Sequence, residues 1–269
     1  MQTEQPIALD STVQSALPEL PNFLGLASRF IQNKEVSDFL HHQENLIFSV
    51  LIALALCGFF HLALRKKEEI PSPLQNLLEL GVEKLREAVI ATLGPSGSAH
   101  VPFLGTIFIY ILAMNLAGLF PLLKSPTSSL NITLGIALCV FAKVQYLNFK
   151  NMGILGFLYH LAGSPKGALG WALVPLMLPL ELLTQFTRPA TLAFRLCGNI
   201  LGEDILIGSF ALFGVNLIAG YYYAPPVGIP LQLPFMFLVL LTSVLQALVF
   251  TLLSTIYILL SMPHADENH

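Results

Sequence analysis

PLELLTQFTRPATLAFRLCGNILGED, residues 179–204, decides how this chain is read. From Gly167 to Met262 the only charged side chains are Glu181, Arg188, Arg195, Glu203 and Asp204, and all of them fall in this stretch. Set on a helix, Glu181, Thr184, Arg188, Thr191, Arg195 and Asn199 lie within about 40° of one line, a polar stripe on an apolar rod. An ionised side chain at mid-membrane costs roughly 3 kcal/mol on insertion scales, so such groups face protein or water and mark an ion or substrate path. Arg188 has the alternative of snorkelling to a headgroup. Arg195, set among Ala193, Phe194, Leu196 and Cys197, is the poorer candidate for that escape.

The composition around the stretch sets its surroundings. Over 269 residues, 55% are hydrophobic and 11% charged, and the mean hydropathy is +0.72. These values predict an all-α integral membrane protein. A net charge of -3 argues against a nucleic-acid partner. Cys57, Cys139 and Cys197 have no metal-ligand spacing and read as small buried hydrophobes. No metal or other cofactor is expected.

Working outward from the stripe, residues 169–213 and 230–262 are apolar runs longer than the roughly 20 residues of an upright crossing. The last two helices are therefore expected to be strongly tilted, broken or nearly in the membrane plane, with Pro175, Pro179 and Pro189 bending the first. Between them YYYAPPVGIP, residues 221–230, is an interfacial turn. The last helix carries a weaker polar face of Thr242, Ser243, Gln246 and Tyr257, of which Gln246 is the best functional candidate. Upstream, residues 46–64, 101–120 and 131–149 are three further spans, giving about five in all. Residues 73–92 place Leu74, Leu77, Leu78, Val82, Leu85 and Val89 on one side, as in an amphipathic surface helix. The expected organisation is thus an extramembrane arm over 1–45, a first span and surface helix over 46–100, a translocating membrane domain over 101–263 and a tail over 264–269. The arm lacks the early positive charge of a secretory signal, and His41, His42 and Glu44 at its end read as a solvated run before the first span.

Basic residues orient these spans. Lys and Arg at 65, 66, 67, 84, 86, 143, 150 and 166 outweigh Arg29, Lys34 and Lys124, which predicts an external N-terminus and a cytoplasmic C-terminus.

At about 1.5 Å per residue, Glu181 stands roughly 21 Å from Arg195 along the axis, and Glu203 and Asp204 about 12–14 Å away on the other side. A guanidinium with a pKa above about 12 cannot pass a proton on, so a relay along this helix is interrupted at Arg195. Two partial paths separated by a fixed positive charge follow. An ion completing the journey needs a mobile carrier, most simply a carboxylate on another chain. Glu203 and Asp204, adjacent in sequence, point about 100° apart, so the two do not face one path. Gly198 and Gly202 leave room for a neighbouring helix, of this chain or of another.

These motifs, together with MNLAGLFP (residues 114–121), PTSSLNITLGIAL and LQALVFTLLSTIYI, resemble the a subunit of the membrane sector of F-type ATP synthases across roughly residues 100–262. The resemblance implies an ion-translocating stator subunit, with the proton as the expected ion. It further implies two near-horizontal helices against a c-subunit ring, and two offset half-channels. Arg195 falls at the family's essential arginine. Asn199, Asp204 and Gln246 match positions of the outer half-channel or the ring face, and Glu181 matches an acid of the inner one. Asn115 and Thr184 complete the expected pathway, with Glu203 beside Asp204. The implied partners are the c-ring, the b-subunit peripheral stalk, other ATP synthase subunits and the lipid bilayer. The chain itself would be non-catalytic, in an energy-coupling membrane such as the bacterial plasma (inner) membrane. Gly118, Ser129 and Val239 stand where some relatives carry titratable groups, which leaves Glu203 and Asp204 as the main titratable pair of the outer entrance. The rival readings are an ion-coupled secondary transporter, opposed by the lack of an internal repeat, and a scaffold in which Arg195 pairs with Glu181, opposed by their separation.

Overall fold

The computed structural model describes residues 43–63, 73–120, 123–162, 167–219 and 230–261, and those residues are helical with no strand among them. The helices are α1 (Glu44–Ala63), α2 (Pro73–Leu93), α3 (Val101–Ala117), α4 (Leu130–Leu161), α5 (Gly167–Ala219) and α6 (Leu233–Leu260). Short 3₁₀ turns at Pro95–His100 and Pro126–Ser128 precede α3 and α4. All but α2 contain a segment long and apolar enough to cross a membrane. The arm to residue 42, the basic cluster at 65–67, the turn at 221–229 and the tail lie outside the described residues.

Local sequence explains where these helices stop. Gly94 takes φ +71° and returns its N–H to Ile90 O at 2.8 Å, a left-handed close that a side chain would strain. Pro95 then opens the 3₁₀ turn. Gly153, at φ +68°, breaks α4 so that its last residues turn aside from the spanning part. In contrast, Pro175, Pro179 and Pro189 sit inside α5 without ending it.

The expected surface helix is present as α2, whose exposed side carries Lys84 donating to Glu87 at 2.8 Å. That hydrogen bond and the charge of Glu87 hold the Lys84 ammonium above the ordinary lysine range.

Buried contacts run through the middle of the molecule: Leu104, Ile111 and Met114 of α3 meet Leu192, Ala193, Leu196 and Ile200 of α5 and Ala247, Phe250 and Ile258 of α6. Lipid is as apolar as leucine, so close packing rather than exclusion from water holds these helices together. The same reasoning explains the many exposed Leu and Phe side chains of α1, α5 and α6. It also corrects the reading of the cysteines: Cys57 and Cys139 are exposed and only Cys197 is partly covered, since a small apolar side chain is equally at home facing lipid. Glu44, expected in a solvated run, is instead buried in the first turn of α1. A carboxylate there is favoured by the amino-terminal end of the helix dipole.

At 53 residues, α5 is about 80 Å long by the helical rise, far beyond the roughly 30 Å hydrocarbon core. The 28 residues of α6 extend about 42 Å. Both lengths require strong inclination or an in-plane course.

Candidate ion-translocation site

The polar stripe lies along the seam between α5 and α6. Four contacts cross that seam. The Arg188 guanidinium lies 5.7 Å from the centre of the Tyr257 ring, and Asn199 Nδ2 donates to Gln246 Oε1 at 2.9 Å. The Thr242 hydroxyl, which donates to Leu238 O and Val239 O at 3.0 Å, lies beside the Glu203 carboxylate, and Phe210 stacks on Phe235 with centroids 4.1 Å apart. As the α5 number rises the α6 number falls by the same amount, so the helices are antiparallel in one unbroken register. That register sets Arg195 level with Phe250, one turn from the Asn199–Gln246 pair.

Arg195 itself is exposed, and among the described residues no carboxylate pairs with it. Gly198 and Gly202, on the same side of α5, are also exposed, with open space where a Cβ would stand. Thr184 and Thr191 return their hydroxyls to Leu180 O and Arg188 O, each at 2.9 Å. Glu181 is half-buried on the same stripe, three turns and more from Arg195. The scaffold reading required an Arg195–Glu181 tie, and no such pair occurs.

The two adjacent acids part company. Glu203 turns to the α6 seam and Thr242, with Oε2 buried and without a hydrogen-bond partner. Asp204 turns to the opposite side, where its Oδ1 lies 3.6 Å from the place a Cβ on Gly118 would occupy. Gly118 closes α3, so Asp204 sits at the C-terminal end of that helix, beside Ser125. Here the 3₁₀ turn folds a buried polar network against α3. The single Ser125 hydroxyl hydrogen is shared between Thr127 Oγ1 at 2.7 Å and Met114 O at 3.1 Å, and Thr127 donates to Asn115 Oδ1 at 2.8 Å.

A second polar cluster lies toward the C-terminal end of α6, where Gln145 and Asn148 of α4, Gln185 and Arg188 of α5 and Tyr257 of α6 line one cleft. Gln145 Nε2 donates to Gln185 Oε1 at 2.7 Å, while Gln145 Oε1 is left buried without a partner. Beyond it, Asn151 donates to Ser261 O at 3.2 Å, tying α4 to the C-terminal end of α6.

The sequence reading missed Ser125 and Thr127, treated as turn residues, and the Gln145–Gln185 pair. A signal existed for the pair: two glutamines in spans with few other amides. For Ser125 and Thr127 there was none, because hydroxyls next to proline are ordinary in turns.

The family model for the ATP synthase A chain matches residues 46–259. The ATP synthase subunit a of Protochlamydia amoebophila is 57% identical over 257 residues, 96% of this chain and 94% of that one. The subunit a of Solidesulfovibrio magneticus is 35% identical over 89% of this chain and 94% of its own. That of Gluconacetobacter diazotrophicus is 31% identical over 85% and 92%.

Proposed function

This chain belongs to the ATP synthase A chain family, and from that premise we propose that Arg195 is the electrostatic gate between two offset half-channels. It is a multi-pass protein of the bacterial plasma membrane and a non-catalytic component of its complex. The proposed ion is the proton, and the proposed partners are a c-subunit ring on the Arg195 face and a b-subunit peripheral stalk. The observation that carries the proposal is an exposed arginine, on the polar stripe of an apolar helix, for which no carboxylate partner occurs among the described residues. A permanent charge so placed needs a counter-charge from outside the chain.

The mechanism follows from electrostatics. A ring carboxylate arriving from lipid is neutral, its proton bound, because a bare charge in hydrocarbon is prohibitive. Beside Arg195 the anion is favoured, and the proton leaves along the path lined by Thr184 and Glu181. Rotation carries the emptied carboxylate to the other side of the arginine, where protons enter by way of Asn115, Asp204, Asn199 and Gln246. The fixed charge of Arg195 repels protons that would otherwise pass directly between the two paths. Gly198 and Gly202 let the ring helix approach closely. Glu203, beside Thr242 on the seam, lines the same outer half without being its acid.

Purification of the tagged protein from its own membrane tests the assignment. Co-isolation with a ring of small subunits and an ATP-hydrolysing head is the expected result. A free-standing chain that moves a solute across vesicles would instead establish the secondary-transporter reading, which nothing in the family match favours.

A further inference from the structure

We propose that Ser125 and Thr127 are positioning residues for the outer path, holding the Asn115 amide so that its nitrogen supplies a hydrogen bond, through a buried water, to the Asp204 carboxylate. This rests on the assignment of Asp204 to that path. Asn115 is 1% exposed, Thr127 is fully buried and Ser125 is 1% exposed, deep in a membrane protein where polar side chains are costly. Such groups persist when they are hydrogen-bonded, and the chain Met114 O, Ser125, Thr127, Asn115 Oδ1 is.

The chain also fixes direction. Thr127 gives its hydrogen to Asn115 Oδ1, and the single Ser125 hydrogen is divided between the Met114 carbonyl and Thr127 Oγ1, so Thr127 faces the oxygen of that amide. The amide nitrogen is thereby committed to the other side, and Asn115 Nδ2 is buried with no protein acceptor. Gly118, one helical turn further along the same face of α3, is the residue next to which Asp204 Oδ1 lies. A buried donor and a carboxylate on one face, in a polar corner, form the setting in which a bridging water is held. With alanine or valine at 127, the amide would be free to turn and the donor to Asp204 would be lost. Because Gly118 has no side chain, the corner keeps space for that water: a Cβ there would stand 3.1 Å from Ser125 Cβ.

The test uses the whole ATP synthase in native membrane vesicles, with the variants Thr127→Val, Thr127→Ser and Asp204→Asn compared for ion-driven ATP synthesis and for subunit content. Thr127→Val should lower synthesis about tenfold, the size of one lost hydrogen bond to a charged group, with subunit content unchanged. Thr127→Ser, which restores the donor, should recover most of it. In addition, a Ser125→Cys thiol should be blocked by Ag⁺ added at the outer face and not at the inner, which a buried structural hydroxyl without water access would not show. Wild-type synthesis in Thr127→Val, with Asp204→Asn inactive, overturns this inference and leaves the outer-path reading standing. An active Asp204→Asn overturns both. Equal loss of synthesis and of subunit in Thr127→Val and Thr127→Ser makes the network structural and overturns the inference alone.

Discussion

The two halves of the stripe on either side of Arg195 are built differently. On the outer side Asn115, Ser125 and Thr127 are buried together at the end of α3, and the exposed Asn199 donates to the buried Gln246 across the seam. On the inner side Glu181 and Thr184 are half-covered, and Gln145, Gln185 and Arg188 border a cleft that stays partly open. The contrast teaches what each side has to do. An entrance that must deliver an ion to one carboxylate gains from fixed donors and acceptors, since orientation is lost in bulk water. An exit needs only access to water, where a released proton is diluted.

The outer half should therefore be the more sensitive to single changes. Asp204→Asn removes the only carboxylate at the α3 corner among the described residues and should reduce ion-driven ATP synthesis by about a hundredfold or more, in the range of a lost proton-transfer group. Glu203→Gln should leave most of the activity. The reverse pair of results would move the outer path to the α6 seam and undo the contrast. Gln246→Leu, measured in the same way, strands the Asn199 amide and should cost about tenfold. An effect as small as that of the inner variants would show that the seam bond is only packing. Gln185→Leu should change synthesis by less than about threefold, because water in the open cleft can replace the lost amide. A loss as deep as that of Gln246→Leu would mean that the inner half is built as tightly as the outer. Cysteines at Thr3 and Asn268 should leave activity intact and label from opposite faces of the membrane, and labelling of both from one face would refute the five crossings.

How far these features can be read from residues alone depends on how local they are. The stripe was legible because Arg188, Arg195 and Asn199 are charged or polar in an apolar run, and helical spacing fixes their relation without knowledge of the fold. The five spans were legible for the same reason, although α4 continues to Leu161 past the expected end near 149, since nothing in the apolar pattern marks Gly153 as a turn with positive φ. The separation of Glu203 from Asp204 also followed from spacing, but their destinations did not: Thr242 and Gly118 are distant in sequence, and only packing brings them near. Ser125 and Thr127 were least legible. Their role comes from the turn folding back on α3, which gives ordinary hydroxyls a buried amide to hold. Glu44 misled for a related reason, because its burial depends on neighbours that composition does not reveal.

The central claim is that Arg195 separates the two halves electrostatically. Its direct test is the Arg195→Ala complex in vesicles, with ATP synthesis and passive ion conductance measured together. The account predicts intact assembly, no synthesis, no ATP-driven pumping and a raised passive conductance, with Arg195→Lys restoring only part of the function because an ammonium lacks the planar fork and can lose its proton when desolvated. An assembled Arg195→Ala complex that still makes ATP under an ion gradient would contradict it.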